Sequence, residues 1–207
     1  MFTLAQIETA LANHDPEQVT PKATTRQAAV AIVMRENVLP NDLTRPEMLF
    51  IKRAEKEGDP WSGHMAFPGG HMEADDPSLQ HAAMRETLEE IGLDLTHAHY
   101  LGALSHQHAQ PRGRVLDMLI APHAFVIKGD PEFSPNYEVD EVVWTAMDPM
   151  VRNEIHDTET KPMAGTPTVF NGYRLERGHF VWGLTYRILQ TFFITIDPSW
   201  VRPPEIE

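Results

Sequence analysis

Hydrophobic positions recur at helical spacing near the start of the chain, where Leu4, Ile7 and Leu11 share one stripe and Thr3 with Gln6 makes a capping-box pattern. This predicts a short amphipathic helix over 3–13 that packs on the body of the protein. Residues 16–26, with two prolines and several threonines, read as a linker to the first strand. The run QAAVAIVM at 27–34 is continuously apolar and predicts a strand. Residues 37–47 hold two prolines and read as a loop. MLFIKR at 48–53 predicts the next strand, followed by a polar loop through Ser62.

Further along, 100–104 and 115–127 are strand-like, with a polar loop carrying His106, His108, Arg112 and Arg114 between them. VDEVVWT at 139–145 alternates as a strand does. Residues 147–173, rich in Pro, Thr and Asp, predict an ordered but irregular excursion. Leu184, Ile188, Leu189 and Phe192 at helical spacing predict a second long helix over 183–194. Strands, a helix, more strands and a closing helix predict a mixed α/β (α+β) sandwich. The expected division is an N-terminal helix and linker at 1–26, one catalytic domain at 27–200 and a tail at 201–207.

The rest of the chain is organised around 63–93, GHMAFPGGHMEADDPSLQHAAMRETLEEIGL. Here a short β-like run leads through a double glycine and an acidic loop into a helix. Asp76 and Pro77 predict its start and Gly92 its stop. Met84, Leu88 and Ile91 form an apolar stripe able to dock on a sheet. A helix turns by about 100° per residue, so Glu86, Glu89 and Glu90 fall within roughly one third of its circumference. Like charges so placed repel by about a few tenths of a kcal/mol per pair, so this face calls for a cation.

Composition narrows the possibilities. The 207 residues are 42% hydrophobic and 23% charged, enough for one substantial core. A formal net charge of −13 argues against nucleic acid or an anionic membrane as partner. An anionic small substrate is compatible only if metal ions and local Arg or Lys residues overcome that field. There is no cysteine, which excludes disulfides, thiolate zinc sites and a Cys nucleophile. MFTLAQIETA lacks the basic-then-apolar order of a secretory signal, and no run is long enough for a membrane span. A cytoplasmic protein is expected.

Carboxylate oxygens suit hard cations such as Mg²⁺ or Mn²⁺, which combine with waters and phosphate oxygens. Gly69 and Gly70 let the backbone turn tightly and offer carbonyl oxygens beside the same face. Arg85, four residues before Glu89, can pair with a carboxylate and fix its direction. Such a set fits metal-assisted attack of water on a phosphoanhydride.

Arg85-Glu86-Thr87-Leu88-Glu89-Glu90-Ile91-Gly92-Leu93, preceded by Gly69 and Gly70, resembles the Nudix box. The resemblance implies the Nudix fold, a mixed sheet between helices, and hydrolysis of nucleoside diphosphates linked to another moiety. By position in the motif, Glu86, Glu89 and Glu90 would bind the metal, Arg85 would orient them, and the Gly70 neighbourhood would supply a carbonyl ligand. One departure stands out. Gly70 and Arg85 are one residue further apart than in the usual box, and the glutamate between them is missing, so Glu73, Asp75 or Asp76 takes its place.

Leu49-Phe50-Ile51-Lys52-Arg53-Ala54, Gly63 and Phe67-Pro68-Gly69-Gly70 resemble the coenzyme A pyrophosphatase branch, as does Trp182-Gly183-Leu184-Thr185. The second arginine of that signature is absent, with Gly58 and Asp59 in its neighbourhood and Lys56 as a weaker substitute. Coenzyme A or an acyl-CoA is the first substrate reading. ADP-ribose, a nucleotide sugar or another dinucleoside compound is the alternative. Arg53, Phe67, Gly69, Arg112 and Arg114 are the candidate substrate contacts. Glu89 is the near candidate for general base, and Glu138 and Glu141 are distal ones. His64, His106 and His108 are expected to be structural or surface residues, and Phe180 and Trp182 to pack the core. Two further readings compete: a non-catalytic nucleotide-binding module of the same fold, and a nucleotide-pool-cleaning triphosphatase. The expected partner is a small-molecule nucleotide, handled by a monomer or homodimer.

Overall fold

The computed structural model describes residues 2–38, 44–58, 61–109, 117–163 and 165–205. Helix α1 (Leu4–Ala12) starts at the predicted capping box: the Thr3 side chain accepts from the Gln6 N–H and Gln6 returns the bond. Strands β1 (Arg26–Val38), β2 (Thr44–Arg53), β3 (Met65–Ala66) and β4 (Gly69–His71) precede helix α2 (Leu79–Ile91). Strands β5 (His99–Ala103), β6 (Gln107–His108), β7 (Met118–Val126) and β8 (Val139–Ala146) follow. The chain then forms the short helix α3 (Asp148–Val151), strands β9 (His156–Met163), β10 (Thr166–Arg174) and β11 (Phe180–Trp182), and helix α4 (Gly183–Ile196).

Among the described residues the main sheet has the order β3-β2-β1-β7-β5, with β4 added to β1, β6 to β7 and β8 to β2. β1 and β7 run parallel and the other pairs antiparallel, so the sheet is mixed. Strand alternation then sorts β1 into two cores. Ala29, Ala31 and Val33 meet Ala82, Ala83 and Ile91 of α2 on one face. Ala28, Ile32 and Met34 share the other core with Ile7 and Leu11 of α1 and Ile188, Leu189, Phe192 and Phe193 of α4. The small residues of β1 and α2 let helix and sheet approach closely. The result is the expected helix–sheet–helix sandwich. No helix among the described residues is long and apolar enough to cross a membrane.

Several expectations are corrected. Residues 147–173 are not irregular: they hold α3 and the β9–β10 hairpin, which with β11 makes a second sheet of three strands in the order β11-β10-β9. The hairpin was hidden because its strands, HDTETKPM and TPTVFNGYR, are largely polar and proline-bearing, and they pair with each other rather than with the main core. Of the loop expected at 37–47, 37–38 belong to β1 and 44–47, Pro46 included, to β2, while 39–43 lie outside the described residues.

The helix start is also displaced. Asp76 and Pro77 precede the helix, and Ser78 is the N-cap, extended at φ −161° and accepting from the His81 N–H. The Asp76 carboxylate has other partners, described below. The predicted Met84–Leu88–Ile91 stripe is rotated, because Leu88 is 49% exposed while Ala82, Ala83, Thr87 and Ile91 face the sheet. Gly92 does end the helix, at φ +72° in the left-handed region, with its N–H donating to the Leu88 carbonyl.

Candidate active site

The site is built where the turn between β3 and β4 meets the side of α2. Gly69 pairs with Val30 and Gly70 with Ala29 across the β1–β4 ladder, which presses the turn against the sheet. A Cβ on Gly69 would lie 2.2 Å from the Ala29 carbonyl oxygen, so glycine is required there. A Cβ on Gly70 would lie 2.5 Å from the Glu86 carboxylate. The turn therefore leaves space for the head of that side chain.

The three glutamates of α2 fan across the boundary between core and solvent. Glu90 is 2% exposed and accepts a 2.9 Å hydrogen bond from the Gly69 N–H. Arg53 reaches to within 3.7 Å of its other oxygen. Burial pushes the Glu90 carboxyl up to about 7, only partly countered by the Gly69 N–H and Arg53 and reinforced by Glu86 and Glu138. Burial also raises Glu86. Glu89 stands mostly in solvent.

Arg85 organises the outer side. Its guanidinium forks onto Asp76 at 3.1 and 3.0 Å, donates to the His71 carbonyl at 2.9 Å, and lies 3.1 Å from both Glu86 and Glu89. Asp76, held also by the Glu73 N–H at 2.8 Å, is pulled below the usual carboxylate range chiefly by Arg85. Of the three acidic residues that were open for the missing glutamate, Asp76 is the one that faces Arg85. Supplying that partner is also why it does not cap the helix.

A second loop is tied to the C-terminal end of α2. The Ser134 N–H donates to the Ile91 carbonyl and the Asn136 N–H to the Glu90 carbonyl, at 2.9 and 2.8 Å. The Asn136 side-chain oxygen in turn accepts from the Glu138 N–H at 2.7 Å. Glu138 is thereby set beside the glutamate helix, close enough to raise the proton affinity of Glu86 and Glu90. Glu141 is placed differently. It is held by Arg177 and, at 3.1 Å, by His179.

The glutamate helix, the glycine turn and the Asn136–Glu138 loop line a cavity of about 830 Å³. Arg53, Arg85, Glu86, Glu89, Glu90 and Glu138 make its charged side; Trp61, Phe170 and Trp182 give it an aromatic wall. Phe67 lines it too, but is buried and stacked on Phe50 at 5.0 Å, so it anchors the turn from below. Trp182 reaches the wall between Phe170 and His64, at 4.4 and 4.5 Å between ring centres, rather than disappearing into the core. Phe180 is buried as expected. His106 accepts from the Val19 N–H and is structural. Lys56 stands exposed and away from the cavity lining. Arg112 and Arg114 lie outside the described residues.

The donor set fits a hard divalent cation in kind. It is all oxygen, it includes two carboxyls whose burial is incompletely offset, and the glycine turn leaves room at Glu86. It is not assembled in advance: among the described residues no three acidic or imidazole side chains stand together as a cage. Glu86 and Glu89 are turned onto Arg85 and Glu90 onto Gly69 and Arg53, so an arriving cation must compete with these partners.

Sequence reasoning missed Asn136, the exposed Tyr137 at the cavity edge, Trp61 and Arg187. Only Asn136 left a signal, since an Asn in a loop favours an Asx turn, its side-chain oxygen accepting the backbone N–H two residues on.

The family model described as NUDIX domain matches residues 24–164. The mouse (Mus musculus) mitochondrial coenzyme A diphosphatase NUDT8 is 27% identical over 193 residues, 90% of this chain and 86% of that protein. Its human counterpart is 29% identical over 164 residues, covering 76% and 66%. An uncharacterised protein of Schizosaccharomyces pombe is 41% identical over 103 residues, and that match spans 42% of this chain but only 30% of the yeast protein. Among solved structures, a MutT/nudix family protein from Enterococcus faecalis superposes with a TM-score of 0.56 at 16% identity, covering 95% of this chain and 76% of that one. That likeness concerns the fold.

Proposed function

Because the chain belongs to the Nudix family and is a pyrophosphohydrolase of it, we propose that it cleaves the diphosphate linkage of coenzyme A or an acyl-CoA, releasing 3′,5′-ADP and 4′-phosphopantetheine. The observation that carries the chemistry is the pairing of the glutamate helix with the glycine turn inside one large cavity. The coenzyme A part is supported by the similarity to coenzyme A diphosphatases along most of this chain. A cavity with a charged side and an aromatic wall also suits a substrate that is part polyanion and part uncharged arm.

A Mg²⁺ or Mn²⁺ ion held by Glu86, Glu89, Glu90 and the Gly70 carbonyl would neutralise diphosphate oxygens and lower the pKa of the attacking water. Arg85, anchored by Asp76, orients Glu86 and Glu89. Arg53 and the Gly69 N–H fix the Glu90 carboxylate in place. Water places its oxygen on one phosphorus as the bridging P–O bond breaks, and its proton passes to a carboxylate. Glu138, tethered through Asn136, and Glu89 are the candidates for that base; Glu141 is taken up by Arg177 and His179.

ADP-ribose or a nucleotide sugar is the second reading, favoured by the lack of any arginine between Ala54 and Ser62. A panel of coenzyme A, ADP-ribose, NADH and nucleotide sugars, assayed with either metal and with products resolved, decides between the two. Turnover of ADP-ribose but not coenzyme A would replace the first reading by the second.

A further inference from the structure

Among the described residues three arginines line the cavity, and two of them face carboxylates of the protein. Arg53 lies 3.7 Å from Glu90, and Arg85 is held by Asp76, Glu86 and Glu89. Arg187 is different. It is half-buried, and among the described residues its guanidinium makes one hydrogen bond, from Nη2 to the His108 carbonyl oxygen, at 2.8 Å. No carboxylate among the described residues pairs with it, although the chain has 30 acidic residues against 17 Lys and Arg. Burial lowers its affinity for its proton with no acidic group to offset the loss. A guanidinium remains charged throughout the physiological range, so its partial desolvation is uncompensated.

Its place in the fold separates it from the scissile site. The glutamates come from α2, packed on one face of the main sheet, whereas α4, which bears Arg187, packs on the other. Arg187 also follows the Trp182–Gly183 junction, where Trp182 belongs to the aromatic wall. A planar donor fork at that position matches a phosphate held away from the metal face.

We propose that Arg187 is a second anion-binding residue of the cavity, taking a phosphomonoester that the substrate carries apart from its scissile diphosphate. This rests on the coenzyme A reading, since coenzyme A has such a group on its ribose and ADP-ribose and nucleotide sugars do not. It makes Arg187 a residue that sets substrate preference while leaving the bond-breaking step untouched.

The test compares coenzyme A with 3′-dephospho-coenzyme A in the wild-type protein, Arg187→Gln and Arg187→Lys. Arg187→Gln should raise KM for coenzyme A by about 10- to 100-fold with kcat held within about twofold, as expected for one charge-assisted contact. The same variant should leave 3′-dephospho-coenzyme A unaffected, and Arg187→Lys should recover part of the loss. An equal loss on both substrates would overturn the assignment in favour of a purely structural role at His108, and so would no loss on either. Calorimetry with 3′,5′-ADP and 5′-AMP provides a readout that needs no turnover. If the wild-type protein cleaves neither substrate yet prefers 3′,5′-ADP, and Arg187→Gln abolishes that preference, the coenzyme A reading falls and Arg187 stands. Equal binding of the two nucleotides by the wild-type protein would sink the Arg187 assignment.

Discussion

The Gly69 amide holds the Glu90 carboxylate at 2.9 Å, joining the turn after β3 to the side of α2. The bond fixes a nearly buried acid whose proton affinity is raised to about 7. Glu90→Gln keeps the volume and an acceptor for Gly69 but removes the charge. Metal-dependent turnover should fall by about 100-fold or more. Urea unfolding of the metal-free variant near pH 7 should show stability no lower than wild type, because a buried charge has been removed. A variant that unfolds would mean Glu90 serves the fold instead.

The two glycines of the turn should separate fold from chemistry. Gly69→Ala drives a Cβ into the Ala29 carbonyl at a φ of +150°, where the backbone must move, so thermal stability should drop sharply. Gly70→Ala meets the end of the flexible Glu86 side chain instead. It should fold with little change in Tm and lose metal affinity, read by Mn²⁺ titration.

Asp76 acts through Arg85. Asp76→Asn weakens the fork that directs Arg85 toward Glu86 and Glu89, so metal affinity or activity should drop by about 10- to 100-fold. Glu73→Gln and Asp75→Asn, which do not face Arg85, should have much smaller effects. Equal effects from all three would show that only the acidity of the loop matters.

Acid stability should depend on His123. It is buried in β7, with Nδ1 3.0 Å from the Tyr100 hydroxyl and Nε2 without a hydrogen-bond partner among the described residues, and burial, with His106 nearby, brings it down to about 4. The unfolded chain holds that proton with a pKa near 6.5. The neutral ring therefore contributes stability that is full above pH 6.5 and lost as pH falls toward 4, up to about 3 kcal/mol. Chemical unfolding between pH 7 and 4 should show this slope, and His123→Gln should flatten it. An unchanged slope in the variant would assign the effect to other groups.

The sandwich and the glutamate helix were legible because both rest on local pattern: the apolar runs at 27–34 and 48–53, and the Arg85–Gly92 spacing. What was not legible depends on long-range partners. Asp76 looked like a helix cap until Arg85, nine residues on, claimed its carboxylate. Leu88 looked like a core residue until the small side chains of Ala82 and Ala83 set which face of α2 meets the sheet. The β9–β10 hairpin has too little apolar alternation to reveal strands that mainly pair with each other. Arg187 gives no sign in sequence of lacking an acidic partner, since that is a property of its surroundings.

The most direct test is a product-resolved assay of the purified protein with coenzyme A and millimolar Mg²⁺ or Mn²⁺. The expected result is 3′,5′-ADP and 4′-phosphopantetheine in equal amounts, no turnover after the metal is chelated, and near-complete loss in Glu90→Gln. Tight nucleotide binding with no cleavage under any of these conditions, unchanged by Glu90→Gln, would contradict it.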